Sequence, residues 1–104
     1  MSDEVRVEKR DGWRKLVMNR PEKLNAANEA MLRGLLQALH DAEADRSCRA
    51  LLLTGEGRGF CSGQELGPAM MPGQADLGAV AALHHRFVHR LREVRVPVVG
   101  AVNG

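Results

Sequence analysis

No stretch of this 104-residue sequence is apolar for long enough to cross a bilayer, which argues against a membrane protein. Its first residues, Met1-Ser2-Asp3-Glu4, lack the basic and apolar pattern of a secretory signal, so a cytoplasmic location is expected. Cysteine is scarce. Cys48 and Cys61 could pair, but without a secretory signal they read as reduced thiols. A dominant charge is also missing: 15 Lys and Arg against 13 Asp and Glu leave +2, spread along the chain. That is too weak for a nucleic-acid footprint, although a mildly basic surface suits a phosphorylated small molecule. Tyrosine is absent and the only aromatic residues are Trp13, Phe60 and Phe87. Even so, 44% hydrophobic and 27% charged residues make an ordinary soluble composition rather than a disordered one. The length allows one domain at most, with a thin margin over its unfolding entropy. Neither an internal repeat nor a linker interrupts it.

What is present alternates between strand and helix patterns. Val5-Arg6-Val7-Glu8-Lys9 alternates apolar and polar residues, Asp11-Gly12 supplies a tight turn, and Trp13 to Met18 completes a predicted antiparallel hairpin. Pro21 lacks a ladder donor, so a loop is expected through Glu22-Lys23-Leu24-Asn25-Ala26-Ala27. Asn28 is placed as an N-cap with Glu29 in the first turn. Met31, Leu32, Leu35, Leu36, Leu39 and Ala42 then recur at helical spacing, predicting an amphipathic helix to about Ala44. Ala50-Leu51-Leu52-Leu53 reads as a strand covered on both faces, as in a parallel sheet. A second helix is expected from Asp76 through Val94, ended by Pro97, and Val96 to Val102 reads as another buried parallel strand. The fold class is α/β, with a β-α-β unit at its centre.

The most informative passage, by its residue types, is Thr54-Gly55-Glu56-Gly57-Arg58-Gly59-Phe60-Cys61-Ser62-Gly63-Gln64-Glu65-Leu66, directly after an expected buried strand. Glycines at 55, 57, 59 and 63 permit positive φ and close approach to a ligand, and successive N–H groups can then converge on one oxygen. A phosphate loop fits poorly: there is no Gly-Lys-Ser/Thr ending, and Phe60 takes the place of the third glycine in the dinucleotide fingerprint. A plain surface loop is the bland alternative. His85 and His89 share a helical face, but no glutamate follows His85 and no third ligand is evident, so they read as solvated positions among Arg86, Arg90 and Arg92. No metal is expected.

Three segments together resemble the crotonase (enoyl-CoA hydratase/isomerase) family: Met18-Asn19-Arg20-Pro21 with Leu24-Asn25-Ala26, Thr54 through Leu66, and Pro97-Val98-Val99-Gly100-Ala101-Val102-Asn103-Gly104. The resemblance implies a ββα-repeat core and lyase or isomerase chemistry on acyl-CoA, as in fatty acid metabolism, through a thioester enolate. Negative charge growing on the thioester oxygen calls for preorganised N–H donors. By resemblance the first donor is the backbone N–H of Gln64. CoA contacts are implied at Glu22, Lys23, Leu24 and Ala26, and along the backbone of Ser62, Gly63, Gln64, Glu65 and Leu66. Lys23 is the candidate for a phosphate or adenine-side contact, set against an ordinary exposed lysine. Asn25 is expected to fix the loop, because asparagine side chains bond local backbone. Glu65 as a general base and Cys61 as a nucleophile are weaker readings. No cofactor is expected beyond the coenzyme A thioester substrate itself. The Gln64-Glu65 pair is similar to members acting on ring-containing acyl-CoAs.

In the family the second oxyanion donor and the acid/base carboxylates follow beyond Gly104. The sequence is therefore expected to be the N-terminal part, 1–104, of a crotonase-like domain, truncated after its first β-α-β units. Loss of one oxyanion donor costs on the order of hundredfold in rate, so the chain by itself is expected to be inactive. The alternative is a non-catalytic fragment, or half of a split protein needing a second chain. The resemblance implies a homotrimer or hexamer in complete form.

Overall fold

A computed structural model of the chain describes residues 4–63 and 77–104, with the backbone alone for 77–80. Two strands, β1 (Val5–Arg10) and β2 (Trp13–Met18), form an antiparallel hairpin in which Arg10 pairs with Trp13 across the Asp11-Gly12 turn. The chain then makes a single 3₁₀ turn at Pro21–Lys23, where proline occupies the first turn and needs no donor. Helix α1 (Glu29–Ala44) follows, capped as its sequence predicts: the Asn28 side chain accepts from the Met31 N–H at 2.8 Å. Strand β3 (Ala50–Gly55), helix α2 (Leu77–Glu93) and strand β4 (Val98–Ala101) complete the order. The expected start of α2 at Asp76 lies outside the described residues.

The four strands form one sheet in the order β1-β2-β3-β4. Strand β3 runs parallel to β2, with Trp13 opposite Ala50 and Met18 opposite Gly55, and β4 runs parallel to β3, with Leu51 opposite Val98. Each parallel pair is joined by a helical crossover, as such pairs require. One core forms on one side of the sheet. Leu16, Met18, Leu51 and Leu53 meet Met31, Leu32, Leu35 and Leu39 of α1, with Leu83 of α2 and Val96 at the margin. Burial of each fully enclosed leucine contributes about 1.5–3 kcal/mol. Arg95 closes the far end of α1 by donating to the carbonyl of Asp45 at 3.0 Å, a cation at the negative end of a helix.

Two expectations for the strands need correction. Strand β3 is not covered on both faces: Leu51, Leu53 and Gly55 are buried, whereas Ala50, Leu52 and Thr54 are only half-buried. Strand β4 is shorter than the run from Val96 to Val102, and its residues from Val99 to Ala101 are exposed. The physical reason is common to both. The helices feed a single cluster on the Leu51 and Leu53 side, and β4 is the last strand in the sheet order. A run of apolar residues reports that a strand tolerates burial, and what packs on it decides whether it is buried.

Candidate functional site

Because β2, β3 and β4 are parallel, their C-terminal ends lie at one edge of the sheet. The segments that leave those ends, residues 19–28, 56–63 and 102–104, therefore meet. In open α/β sheets this edge is where ligands bind.

Asn25 joins the first two segments. It is fully buried, and both it (φ 56°) and Leu24 (φ 51°) are left-handed, a conformation asparagine tolerates and leucine resists. Its Oδ1 accepts from the Arg20 backbone N–H at 2.6 Å. Its Nδ2 donates to the carbonyls of Glu56, at 3.0 Å, and Gly59, at 2.7 Å. Further along, the Ser62 N–H donates to Leu24 O at 3.0 Å and the Ala27 N–H to Gly63 O at 2.7 Å, so the two loops run side by side. The Arg20 guanidinium adds a bond from Nη1 to Ala26 O at 2.6 Å.

Gly55 sits at the closest approach. A Cβ there would lie 2.4 Å from Phe60 O and 2.7 Å from both Gly59 O and Asn25 Nδ2, so only glycine fits. Gly63 is constrained differently: nothing stands within 4 Å of a would-be Cβ, but φ is +113°. On the far side, Asn103 Nδ2 donates to Gly55 O and Gly57 O, each at 2.9 Å, and the Thr54 hydroxyl donates to Ala101 O at 2.8 Å.

Between these loops lies an open cavity of about 420 Å³ lined by Leu24, Arg58, Gly59, Phe60, Cys61, Ser62, Val102 and Gly104. Arg58 is its one charged lining residue among the described residues. Its walls otherwise combine apolar surface with backbone. Glu56 does not serve this cavity as an acid: its carboxylate pairs with Arg6 at 2.8 Å, and that pairing holds it below the usual carboxylate range. Cys61 is exposed and no histidine lines the cavity among the described residues, so a thiol nucleophile has no base there. The His85 and His89 rings stack edge to face at 4.4 Å, and among the described residues no cluster of three metal-ligating side chains forms.

Of the residues expected at the site, Leu24 and Ser62 line the cavity. The Gly63 carbonyl joins the two loops by accepting from Ala27, and the Ala26 carbonyl braces its own loop by accepting from Arg20. Glu22 and Lys23 are exposed on the 3₁₀ turn and are not part of the lining. Gln64, Glu65 and Leu66 lie outside the described residues. The sequence reading did not single out Arg58, Val102 or Gly104 as lining residues, although Arg58 stands between Gly57 and Gly59, where a charge in a tight loop was a usable signal. It placed Asn25 correctly as a loop-fixing residue but missed its reach to Glu56 and Gly59.

A sheet with parallel crossovers and a glycine-rich loop at its C-terminal edge is shared by several α/β folds, and here its arrangement is that of the crotonase fold. The whole chain superimposes on a crystal structure of an enoyl-CoA hydratase/isomerase from Xanthobacter autotrophicus Py2 with a TM-score of 0.89 at 29% identity, covering 40% of that chain. Residues 8–104 match the sequence profile of the Enoyl-CoA hydratase/isomerase family, and the chain belongs to that family. It is 44% identical over 98 residues to 1,2-epoxyphenylacetyl-CoA isomerase of Escherichia coli (strain K12), covering 86% of this chain and 36% of the relative. It is 36% identical over 105 residues to 4-chlorobenzoyl coenzyme A dehalogenase-2 of an Arthrobacter species, covering 96% of this chain and 38% of the relative. The chain thus spans little more than a third of the length of these curated relatives.

Proposed function

We propose that the meeting of loops 19–28 and 55–63 forms one wall of an acyl-CoA site in which a thioester enolate is stabilised by backbone N–H donors. The observation that carries this reading is the cavity at the C-terminal edge of β3 and β4, bounded by Leu24, Phe60 and Ser62 and bearing the positive charge of Arg58. Apolar walls suit an acyl chain, and a guanidinium suits a phosphate. The Gln64 N–H is the first oxyanion donor in this reading. Gly63 precedes it and takes a φ of +113°, open to glycine and strained for any side chain. Glu22, Lys23, Leu24, Ala26 and the backbone from Ser62 to Leu66 are the proposed CoA contacts.

All reactions of this kind share one demand: charge that develops on the thioester oxygen must be met by donors already in place. The relatives named above include an isomerase and a dehalogenase, both acting on CoA thioesters with ring-bearing acyl groups by their names. We therefore place a ring-bearing acyl-CoA ahead of a short straight-chain one as substrate. Assembly as a homotrimer or hexamer belongs to the same proposal and is read by light scattering.

The test is Gly63→Val in the protein expressed from its complete coding sequence, assayed with crotonyl-CoA and cinnamoyl-CoA. Loss of turnover by about hundredfold or more, with the fold retained, supports the donor loop. Turnover equal to wild type sinks it.

A further inference from the structure

We infer that Asn25 and Asn103 act as a pair of positioning residues that set the site loop from opposite sides. This rests on the acyl-CoA reading for its catalytic consequence, but not for its structural one.

The bonds interleave. Asn103 Nδ2 takes the carbonyls of Gly55 and Gly57, and Asn25 Nδ2 takes those of Glu56 and Gly59. Two side-chain amides thus hold the carbonyls of residues 55, 56, 57 and 59 in one short loop. Because a peptide unit is planar and trans, aiming the carbonyl of one residue aims the N–H of the next in the opposite direction. The paired amides therefore orient the N–H groups of residues 56, 57, 58 and 60 as well. The proposed donor, the Gln64 N–H, is not itself among these groups; it follows the held loop in sequence, so the amides act on it by fixing the stretch that leads to Gly63.

The two anchors come from different places in the fold. Asn25 belongs to the loop after β2, and Asn103 lies just beyond the end of β4. Each stands beside the cavity: Leu24 precedes Asn25, and Val102 and Gly104 flank Asn103, all lining it. The loop can thus shift only if one wall of the cavity shifts with it. The anchors also differ in exposure. Asn25 is fully buried, whereas Asn103 is half-buried and its bond to Gly57 O is exposed. Asn103 is accordingly the residue whose loss leaves the fold intact while loosening the loop. The two carbonyls 2.9 Å away can only accept, so they fix the amide with Nδ2 toward the loop.

The test compares wild type, Asn103→Ala, Asn103→Asp and Asn25→Asp in the protein expressed from its complete coding sequence. The aspartate variants keep the shape but replace a donor by an acceptor facing two carbonyls. Amide hydrogen exchange across residues 55–63 reads the loop, and initial rates with crotonyl-CoA and cinnamoyl-CoA read its consequence. In both Asn103 variants, exchange across 55–63 should rise about tenfold, while α1 and the hairpin keep their protection. kcat should fall about hundredfold with KM moving less than about threefold, the pattern of a misplaced donor rather than a lost binding contact. Unchanged exchange in both Asn103 variants overturns the pairing, as does a raised exchange with unchanged kcat. If Asn25→Asp does not fold, the Asn103 variants decide. If wild type turns over neither thioester, the acyl-CoA reading fails by itself, and the exchange result alone supports or overturns the paired anchoring.

Discussion

The side-chain amide of Asn25 donates to the carbonyl of Gly59 across a separation of 34 residues, at 2.7 Å, from a position with no solvent exposure. Replacing Asn25 by alanine leaves this carbonyl, that of Glu56 and the Arg20 N–H without their partner, and puts a Cβ-bearing residue without compensation at φ 56°. Orphaned buried groups are expensive, so Asn25→Ala should cost about 2–4 kcal/mol in urea unfolding. A change below about 0.5 kcal/mol would mean that water replaces the amide without loss.

Gly55→Ala tests the same junction from the backbone. Its Cβ would press on two carbonyl oxygens and on the Asn25 amide, none of which is the free end of a flexible side chain. Stability should drop by about 1–3 kcal/mol, read as a lower midpoint at unchanged denaturant dependence.

Leu24 holds a left-handed conformation that costs it about 1 kcal/mol, and it is 37% exposed. Glycine relieves that strain but frees the unfolded chain and removes an apolar wall of the cavity. Leu24→Gly should therefore change stability by less than about 1 kcal/mol while weakening acyl-CoA binding about tenfold by calorimetry. Equal binding in wild type and variant would remove Leu24 from the ligand's surroundings.

An acid-sensitive contact lies away from the site. Asp45 accepts from the Ser47 hydroxyl and N–H and from Arg14, and these bonds hold its carboxyl down at about 2, against an ordinary 3.8. Its folded value is depressed, so its contribution is present in full above about pH 4 and is lost as pH falls toward 2. Melting temperatures of wild type and Asp45→Asn should differ at neutral pH and converge over that window. A gap independent of pH would assign the difference to something other than ionisation.

The hairpin and α1 were legible because their signals are local. Asp11-Gly12 encodes a two-residue turn, and Asn28 followed by a helical apolar stripe encodes a start and a buried face. Coverage of β3 and β4 was not legible, since Leu52 and Val99 have the same character whether or not anything lies on them. The reach of Asn25 was likewise hidden: its bond to Arg20 follows from local asparagine chemistry, whereas its bonds to Glu56 and Gly59 depend on the parallel pairing of β2 with β3. Glu22 and Lys23, marked by resemblance, stand exposed outside the cavity lining, and their proposed CoA contacts are read only with a ligand bound.

The interleaved grip on residues 55–59 also orders events in time. During synthesis the N-terminal elements emerge first, and Asn25 can find Glu56 and Gly59 once β2 and β3 pair. Asn103 reaches Gly55 and Gly57 only after β4 has docked beside β3. The loop is thus held on one side before the other. A newly made chain whose β4 has yet to dock therefore holds this loop from the Asn25 side alone.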